Sequence, residues 1–369
     1  MKTGNSIAMS IDKSSDKYKI DSHKLMYHVH RVADWREGKN IYPIYMEASP
    51  SGACNHRCTY CALDFMDYQK RFLETSIFKE RLSELGSLGL KSIMFAGEGE
   101  PFLHRDMAEI VCHSRRAGID VALTTNGVLF KPDLAEDVLA HSEWIKVSIN
   151  GATPETYANI HRTRPGDFDR VMQNMAYAAE LREQKKYRCV LGMQLLLLPE
   201  NYQEAVLLAK LARDIGMNYL VIKPYSQHPL SQTTRYGDVK YSDYLYLAEE
   251  LEALNRADFN VIFRIRAMQK WDKGNKPYEQ CSALPFWSYI DAGGNVWGCS
   301  MFLGDERFSY GNIYEETFAQ IWNSDKRMRS LRWFEREFDC SRCRINCRMD
   351  EINRYLWEVK NPPQHVNFI

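Results

Sequence analysis

The sequence carries no excess charge of either sign: Lys and Arg number 48, and Asp and Glu number 48. That balance removes the broad basic footprint expected of a nucleic-acid or membrane-surface binder. No apolar run is long. The most apolar stretch, around Leu195–Leu198, falls far short of the ~20 residues that cross a bilayer. The opening residues, MKTGNSIAMSIDKSSDKYKID, lack the apolar centre of a secretory signal. There is no low-complexity tract and no internal repeat. Ten cysteines in 369 residues are too few for a disulfide scaffold. These absences lead to the expectation of a cytoplasmic globular protein acting on neither membrane nor nucleic acid. In such a compartment clustered cysteines read as metal ligands or reactive thiols before disulfides.

What is present is an alternation. Short apolar runs at 41–48, 92–96, 121–125, 144–149, 190–197 and 219–223 are separated by segments of helical period at 75–88, 104–117, 132–141, 166–185 and 203–215. Strand and helix signals in turn argue parallel strands with right-handed crossovers. Six units are too few for a closed eight-fold barrel and suit an open, partial one. The pattern changes after Pro224. A polar loop covers 226–238, a helix is expected at 241–256 and a strand at 259–266. Gly293-Gly294 between two apolar runs signals a hairpin. Further helices are expected near 315–334 and 349–358. The chain divides into an N-terminal extension (1–40), the partial barrel (41–225), a bridging segment (226–275), a cysteine-rich unit (276–350) and a C-terminal helix and tail (351–369).

The first cysteine group, SGACNHRCTYCALDF, places Cys54, Cys58 and Cys61 in C-x3-C-x2-C directly after the first expected strand. Three thiolates on one loop can hold three corners of a cubane iron–sulfur cluster, which leaves one iron open to a substrate or cofactor. The competing reading, structural zinc, needs a fourth ligand, and His56 is poorly placed inside the loop. With Tyr60 at its aromatic position, this motif after strand one of a partial barrel resembles the radical S-adenosylmethionine (SAM) enzymes. Gly97-Glu98-Gly99-Glu100-Pro101 at the end of strand two resembles that family's GGEP station. Thr125-Asn126-Gly127 follows strand three. Ser148 and Asn150 close strand four where the family often has S-x-D, and Asn at 150 departs from it.

The resemblance covers about residues 41–224 and implies an α/β fold, a partial (β/α)6 barrel of the radical SAM type. It implies a 4Fe-4S cluster on Cys54, Cys58 and Cys61. It implies SAM contacts from Tyr60, Gly99, Glu100, Pro101, Asn126, Ser148, Asn150 and Arg162. The reduced cluster would cleave SAM to methionine and a 5′-deoxyadenosyl radical that takes hydrogen from an unactivated C–H bond. The electron would come from an external donor such as flavodoxin or ferredoxin. Taken singly, the glycine-rich station and Asn126-Gly127 read as ordinary turns, and it is their order along the barrel that gives them weight.

Five of the ten cysteines lie between 281 and 347. Cys281 and Cys299, with Gly294 between them, form C-x12-G-x4-C, and Cys340, Cys343 and Cys347 form C-x2-C-x3-C. The first part resembles the opening of SPASM and twitch domains, small α+β units that carry auxiliary clusters. A full SPASM domain needs more cysteines than are present, so the resemblance implies a twitch/SPASM-like unit with one auxiliary 4Fe-4S cluster drawn from Cys281, Cys299, Cys340, Cys343 and Cys347. A zinc knuckle is the competing reading. Cys347 is left as a ligand, a spare or a catalytic hydrogen donor.

Arginines crowd the same region, and most read as a solvated helix face. Arg264 and Arg266, on one side of the expected strand 259–266, offer a seat for an anionic group, against the simpler reading of surface charges on an edge strand. Cys112, Cys189 and His161 read as structural. The expected reaction is oxidation of a carbinol in a small polar substrate, neutral or anionic: a sugar, aminocyclitol or nucleotide-linked sugar, with the auxiliary cluster as electron acceptor. Alternatives are a radical epimerase and a peptide-modifying enzyme. The version of the second that carries an extra N-terminal recognition domain is disfavoured, because only 40 residues precede strand one. An alternative of another class is a non-catalytic iron–sulfur electron carrier, which would need none of the SAM stations.

Overall fold

Parallel strands demand crossovers, and the chain supplies them in order. The computed structural model describes residues 17–20 and 22–368; residues 1–16 and 21 of the N-terminal extension, and residue 369 of the tail, lie outside the described residues. After α1 (Val29–Arg36) the chain enters β1 (Tyr45–Ala48), then α2 (Thr75–Ser87), β2 (Ser92–Phe95), α3 (Met107–Arg116), β3 (Asp120–Thr125), α4 (Pro132–His141) and β4 (Trp144–Ser148). Two helices follow, α5 (Pro154–His161) and α6 (Gly166–Lys185), then β5 (Val190–Leu196), α7 (Ala205–Asp214) and β6 (Tyr219–Lys223). All six strands pair in parallel and in sequence order. This is the α/β arrangement expected from the alternating pattern.

The sheet does not stop at six strands. After α8 (Leu247–Glu252), β7 (Asn260–Phe263) adds to β6 in parallel, and α9 (Ile265–Lys273) follows at once. On the opposite edge β8 (Trp287–Ile290) pairs in parallel with β1, and β9 (Asn295–Trp297) and β10 (Ser309–Asn312) extend it as an antiparallel meander. The result is one ten-stranded sheet in the order β10-β9-β8-β1-β2-β3-β4-β5-β6-β7. The chain ends in α10 (Phe318–Trp322), α11 (Asp325–Glu337) and α12 (Asp350–Lys360). No helix among the described residues is long and apolar enough to cross a membrane.

Period-two alternation sorts the strands. Ile145 and Val147 of β4 are fully buried against the helices, while Trp144, Lys146 and Ser148 face the barrel lumen. The floor of the lumen is a small apolar cluster of Tyr219, Val221 and Ile262, packed with Tyr18, Ile20 and Val190. Tyr219 lies over Gly192, where any Cβ would strike its ring.

Three expectations are corrected. The strand at 259–266 ends at Phe263, so Arg266 lies in α9 and does not share a strand face with Arg264. Arg264 leaves the extended conformation, and Ala267, Met268 and Trp271 follow at helical spacing. The helix at 315–334 is two helices, because the Ser324 side chain accepts from the Arg327 N–H and restarts the chain as α11. The helix at 241–256 shrinks to a 3-10 turn and the short α8. An element without a sequence expectation, α5, starts at Thr153-Pro154, where the Thr153 hydroxyl caps the Thr156 N–H and proline occupies the first turn.

Candidate active site

A cavity of about 320 Å³ opens at the C-terminal ends of the barrel strands. Cys54, Cys58 and Cys61 form part of its wall, with Tyr60, Gly97, Gly99, Glu100, Asn126, Ser148, His161, Gln194 and Lys223 around it. The cysteine loop is held from two sides. The Glu100 N–H donates to the Ala53 carbonyl at 2.8 Å, tying the loop to the end of β2. The Arg57 and Thr59 N–H groups donate to the carbonyls of His161 and Ile160 at the end of α5, at 3.1 and 2.8 Å. Glycine at 99 is obligatory, since a Cβ there would strike the carbonyls of Ser51 and Ala53. A third support is the polar segment after β6. The Asp64 carboxylate accepts from the Gln232 and Thr233 N–H groups, and the Ser231 hydroxyl donates to the Cys61 carbonyl at 3.1 Å.

The two glutamates of the glycine-rich turn do different work. Glu98 is buried, paired with Arg71 at 2.8 Å, and accepts from the Ala292 N–H of the β8–β9 turn at 2.7 Å. Burial pushes its pKa up, offset by those two donors. Glu100 accepts from the Thr125 hydroxyl at 2.6 Å and from the Asn126 and Phe102 N–H groups at 2.8 and 3.1 Å. Its carboxylate fastens the end of β3 to the end of β2. Asn126 in turn donates to the Asn55 side chain at 2.7 Å. The residue types of this station are therefore explained first by how they assemble the rim.

The remaining expected SAM contacts separate. Ser148 lines the cavity. Asn150 does not: it is fully buried with φ +50°, donates to the Tyr60 hydroxyl at 2.6 Å and accepts from the Leu196 N–H at 2.7 Å. Pro101 is buried at the start of a 3-10 turn. Arg162 terminates α5 with φ +48°, and its side chain is exposed away from the cavity wall. His161, expected to be structural, is fully buried. One ring nitrogen lies 3.0 Å from the Ile149 carbonyl, and the other lies 3.2 Å from the Cys58 sulfur.

The five C-terminal cysteines converge as a second group. Cys281, Cys299, Cys340, Cys343 and Cys347 line one small cavity with Tyr278, Trp287, Met301 and Phe334. Asn353 of α12 donates to the Cys281 sulfur at 3.1 Å, and Lys276 holds the carbonyls of Cys340 and Cys343 at 2.7 Å each. Cys347 belongs to this cavity and not to the one at the barrel mouth. Arg344 lines both and forms the wall between them. Arg344, Asn346 and Arg348 stand out only in the structure, because their loop is placed over the barrel by long-range packing. A cue was available in the sequence only for Arg344 and Arg348, as two of seven crowded arginines.

Whether these residues fit iron–sulfur clusters is decided by the donor sets. All ten cysteines are free thiols. Burial pushes Cys54 up to about 12 and Cys281, Cys340 and Cys347 up to about 11, and neighbouring thiols add to the rise in both groups. Crowded sulfurs that repel one another as thiolates are what a bound cationic metal centre relieves. Both groups fit.

The comparisons with known proteins agree with this geometry. The model of the radical SAM superfamily matches residues 48–212, and that of the SPASM iron–sulfur cluster-binding domain matches residues 281–348. Streptococcus suis SuiB bound to S-adenosylmethionine superposes with a TM-score of 0.60 at 19% identity, covering 82% of this chain and 70% of that one. The SAM-bound anSMEcpe superposes at 0.58 and 17% identity, covering 85% and 88%. Among curated proteins, the AdoMet-dependent heme synthase of Methanosarcina barkeri is 26% identical over 302 residues, 76% of this chain and 82% of that protein. The GTP 3′,8-cyclase of Chlorobaculum tepidum is 29% identical over 201 residues, 52% and 57% of the two chains. The chain belongs to the radical SAM superfamily and carries a C-terminal SPASM iron–sulfur domain. It is a radical SAM enzyme, with SAM, a 4Fe-4S cluster and an auxiliary iron–sulfur cluster as cofactors.

Proposed function

We propose that this enzyme oxidises a carbinol of a small polar substrate to a carbonyl: the carbon loses a hydrogen atom, the hydroxyl gives up its proton to solvent, and the second electron passes to the auxiliary centre. Cys54, Cys58 and Cys61 would hold the first cluster, and four of the five C-terminal cysteines the second. When bound, SAM and its reduced cluster supply a 5′-deoxyadenosyl radical at the barrel mouth. The chain's own part is placement. Gly99 lets the rim close against the cysteine loop, Gly97 makes room for Ser49 and the Tyr289 hydroxyl, and Asn126, Ser148 and Gln194 present polar groups to whatever fills the cavity. The apolar floor under Tyr219 keeps water from entering from below.

The observation that carries the oxidative reading is the single wall, Arg344, shared by the two cysteine-lined cavities. A substrate in the first would lie one residue layer from the acceptor in the second. Cys347, grouped with the other four thiols and away from the barrel mouth, suits a ligand better than an epimerase's hydrogen donor.

The test is anaerobic reconstitution with SAM and dithionite. About eight irons per chain and slow formation of 5′-deoxyadenosine are expected. A Cys61→Ala variant should lose about half the iron and all SAM cleavage, and Cys299→Ala should lose about half the iron but keep uncoupled cleavage. Absence of 5′-deoxyadenosine from the reconstituted wild type would sink the proposal.

A further inference from the structure

The proposed oxidation sends a proton from the substrate hydroxyl to solvent, and the cavity wall holds a group that can carry it. Once the carbon has lost its hydrogen atom, the hydroxyl beside it is far more acidic than that of an ordinary alcohol. Its deprotonated form also gives up an electron far more readily. A base at the wall therefore governs the second half of the reaction. Most titratable side chains lining the cavity are already committed. Cys54, Cys58 and Cys61 form the first ligand group. The Glu100 carboxylate is filled by the Thr125 hydroxyl and the Asn126 and Phe102 N–H groups. His161 is fully buried between the Ile149 carbonyl and the Cys58 sulfur, and His56 is buried inside the cysteine loop, 3.8 Å from Asp167. The Tyr60 hydroxyl accepts from the Asn150 amide, and the Tyr225 hydroxyl donates to Gln227. Arg264 and Arg344 present guanidinium groups, which do not accept protons.

Lys223 is the lining residue that remains. It is half-buried, and its amine has no hydrogen-bond or ion-pair partner among the described residues. It shares the inner face of β6 with Tyr219 and Val221. The register places it one inward-facing row above Ser148, Gln194 and Val221, at the strand ends where the cysteine loop meets the cavity. Its leading electrostatic neighbours are Lys146 of β4, Arg264 at the end of β7, and Arg348 and Arg344 of the loop over the barrel. Glu47 of β1 faces the same space, bound to Arg348 and the Tyr45 hydroxyl. Burial first, and then those cations, pull the Lys223 pKa well below 10.5. The amine that faces the cavity is thus drawn toward its uncharged form, with a lone pair free to take a proton.

We propose that Lys223 is the general base of this enzyme, receiving the hydroxyl proton of the carbinol as the electron leaves for the auxiliary centre. The step balances. The carbon has lost one hydrogen atom, the O–H bond breaks with its proton passing to the Lys223 Nζ, the remaining electron crosses the Arg344 wall, and a C=O bond is left. The Lys223 ammonium then returns the proton to solvent, and the cations around it favour that release. The inference rests on the carbinol reading of the cavity and names the proton's route within it.

Two measurements on the reconstituted holoenzyme test it. In the first, acetic anhydride is applied from pH 6 to pH 10 and acetylation of each lysine is followed by mass spectrometry. Lys223 should reach half its plateau about one pH unit or more below the chain's exposed lysines. A midpoint equal to theirs, or a Lys223 that never labels, overturns the proposal. In the second, SAM, dithionite and a small-molecule extract of the source cells are supplied, 5′-deoxyadenosine is counted, and new carbonyl compounds are trapped with a hydrazine. Lys223→Ala should lower the carbonyl formed per 5′-deoxyadenosine by about 100-fold. Added ethylamine should restore part of that loss by supplying an amine, which it would not do for a merely loosened fold. Lys223→Arg keeps the charge without the lone pair and should be as impaired as Lys223→Ala. Undiminished carbonyl formation by Lys223→Ala overturns the assignment. Failure of the underlying readings looks different: wild type would form 5′-deoxyadenosine but no carbonyl compound if the carbinol reading were wrong, and no 5′-deoxyadenosine if the radical reading were.

Discussion

Lys146 shows how one residue records a tension between stability and function. Burial, with Arg348 and Arg264 nearby and Glu47 opposing them, lowers its pKa from 10.5 to about 7. The unfolded chain therefore holds a proton that the folded chain has lost between pH 7 and 10.5, so the stability contributed by this group falls as pH drops from 10.5 to 7 and levels off below 7. Lys223 is shifted in the same direction for the same reason. Lys146→Met removes the penalty, so its stability advantage over wild type should be about 2–3 kcal/mol larger at pH 6 than at pH 9. Chemical denaturation at the two pH values measures it, and an advantage independent of pH would contradict the assignment. Asn150 tells the opposite story. Its amide joins the cysteine loop through Tyr60 to β5 through Leu196, entirely out of solvent. Asn150→Ala should cost about 2–3 kcal/mol, because two buried groups lose partners and alanine must hold a positive φ. A denaturation midpoint unchanged from wild type would show that the clamp is dispensable.

At the scale of elements, the cysteine loop is an object built by its neighbours. The ends of β2 and α5 and the segment after β6 each donate or accept hydrogen bonds to it. The motif itself was legible in the sequence because its ligands sit within eight residues and their spacing is local information. The order of stations at successive strand ends was legible for the same reason, since each strand is followed by its own loop. What was not legible is the role of each polar residue in a station. Glu100 reads as a cofactor contact in the sequence, and in the fold its carboxylate is occupied by Thr125, Asn126 and Phe102. Lys146 reads as one polar residue in an alternating strand, and nothing local tells whether it faces lumen or solvent. Arg266 was misplaced because a strand and a following helix both permit the sequence FRIR, and the packing of Ala267 and Met268 decides for the helix.

For the whole molecule, the decisive contact is the parallel pairing of β8 with β1. It makes the cysteine-rich region an extension of the barrel sheet and fixes Arg344 between the two cavities. Arg71, Glu98 and the Ala292 N–H reinforce the seam. Removing residues 276–369 would bare the edge of β1 and the apolar surface that Trp287 and Tyr289 cover. Such a truncation should aggregate on size-exclusion chromatography, whereas the reconstituted full chain should elute as a discrete species. A well-behaved truncated barrel would show that the seam contributes little.

The sequence by itself determined the chemistry class. Cysteine spacing, glycine-rich turns and strand–helix alternation are local patterns, and local patterns fix which ligands share a loop and which loops follow strands. Only the tertiary structure decided which residues meet across those loops. Lys146, Lys223, Arg344 and Arg348 come from two strands and a distant loop, and Cys281 and Cys347 are brought together across a sheet and two helices. Their meeting depends on side-chain packing between elements far apart in the chain, and that information is carried by the whole fold at once.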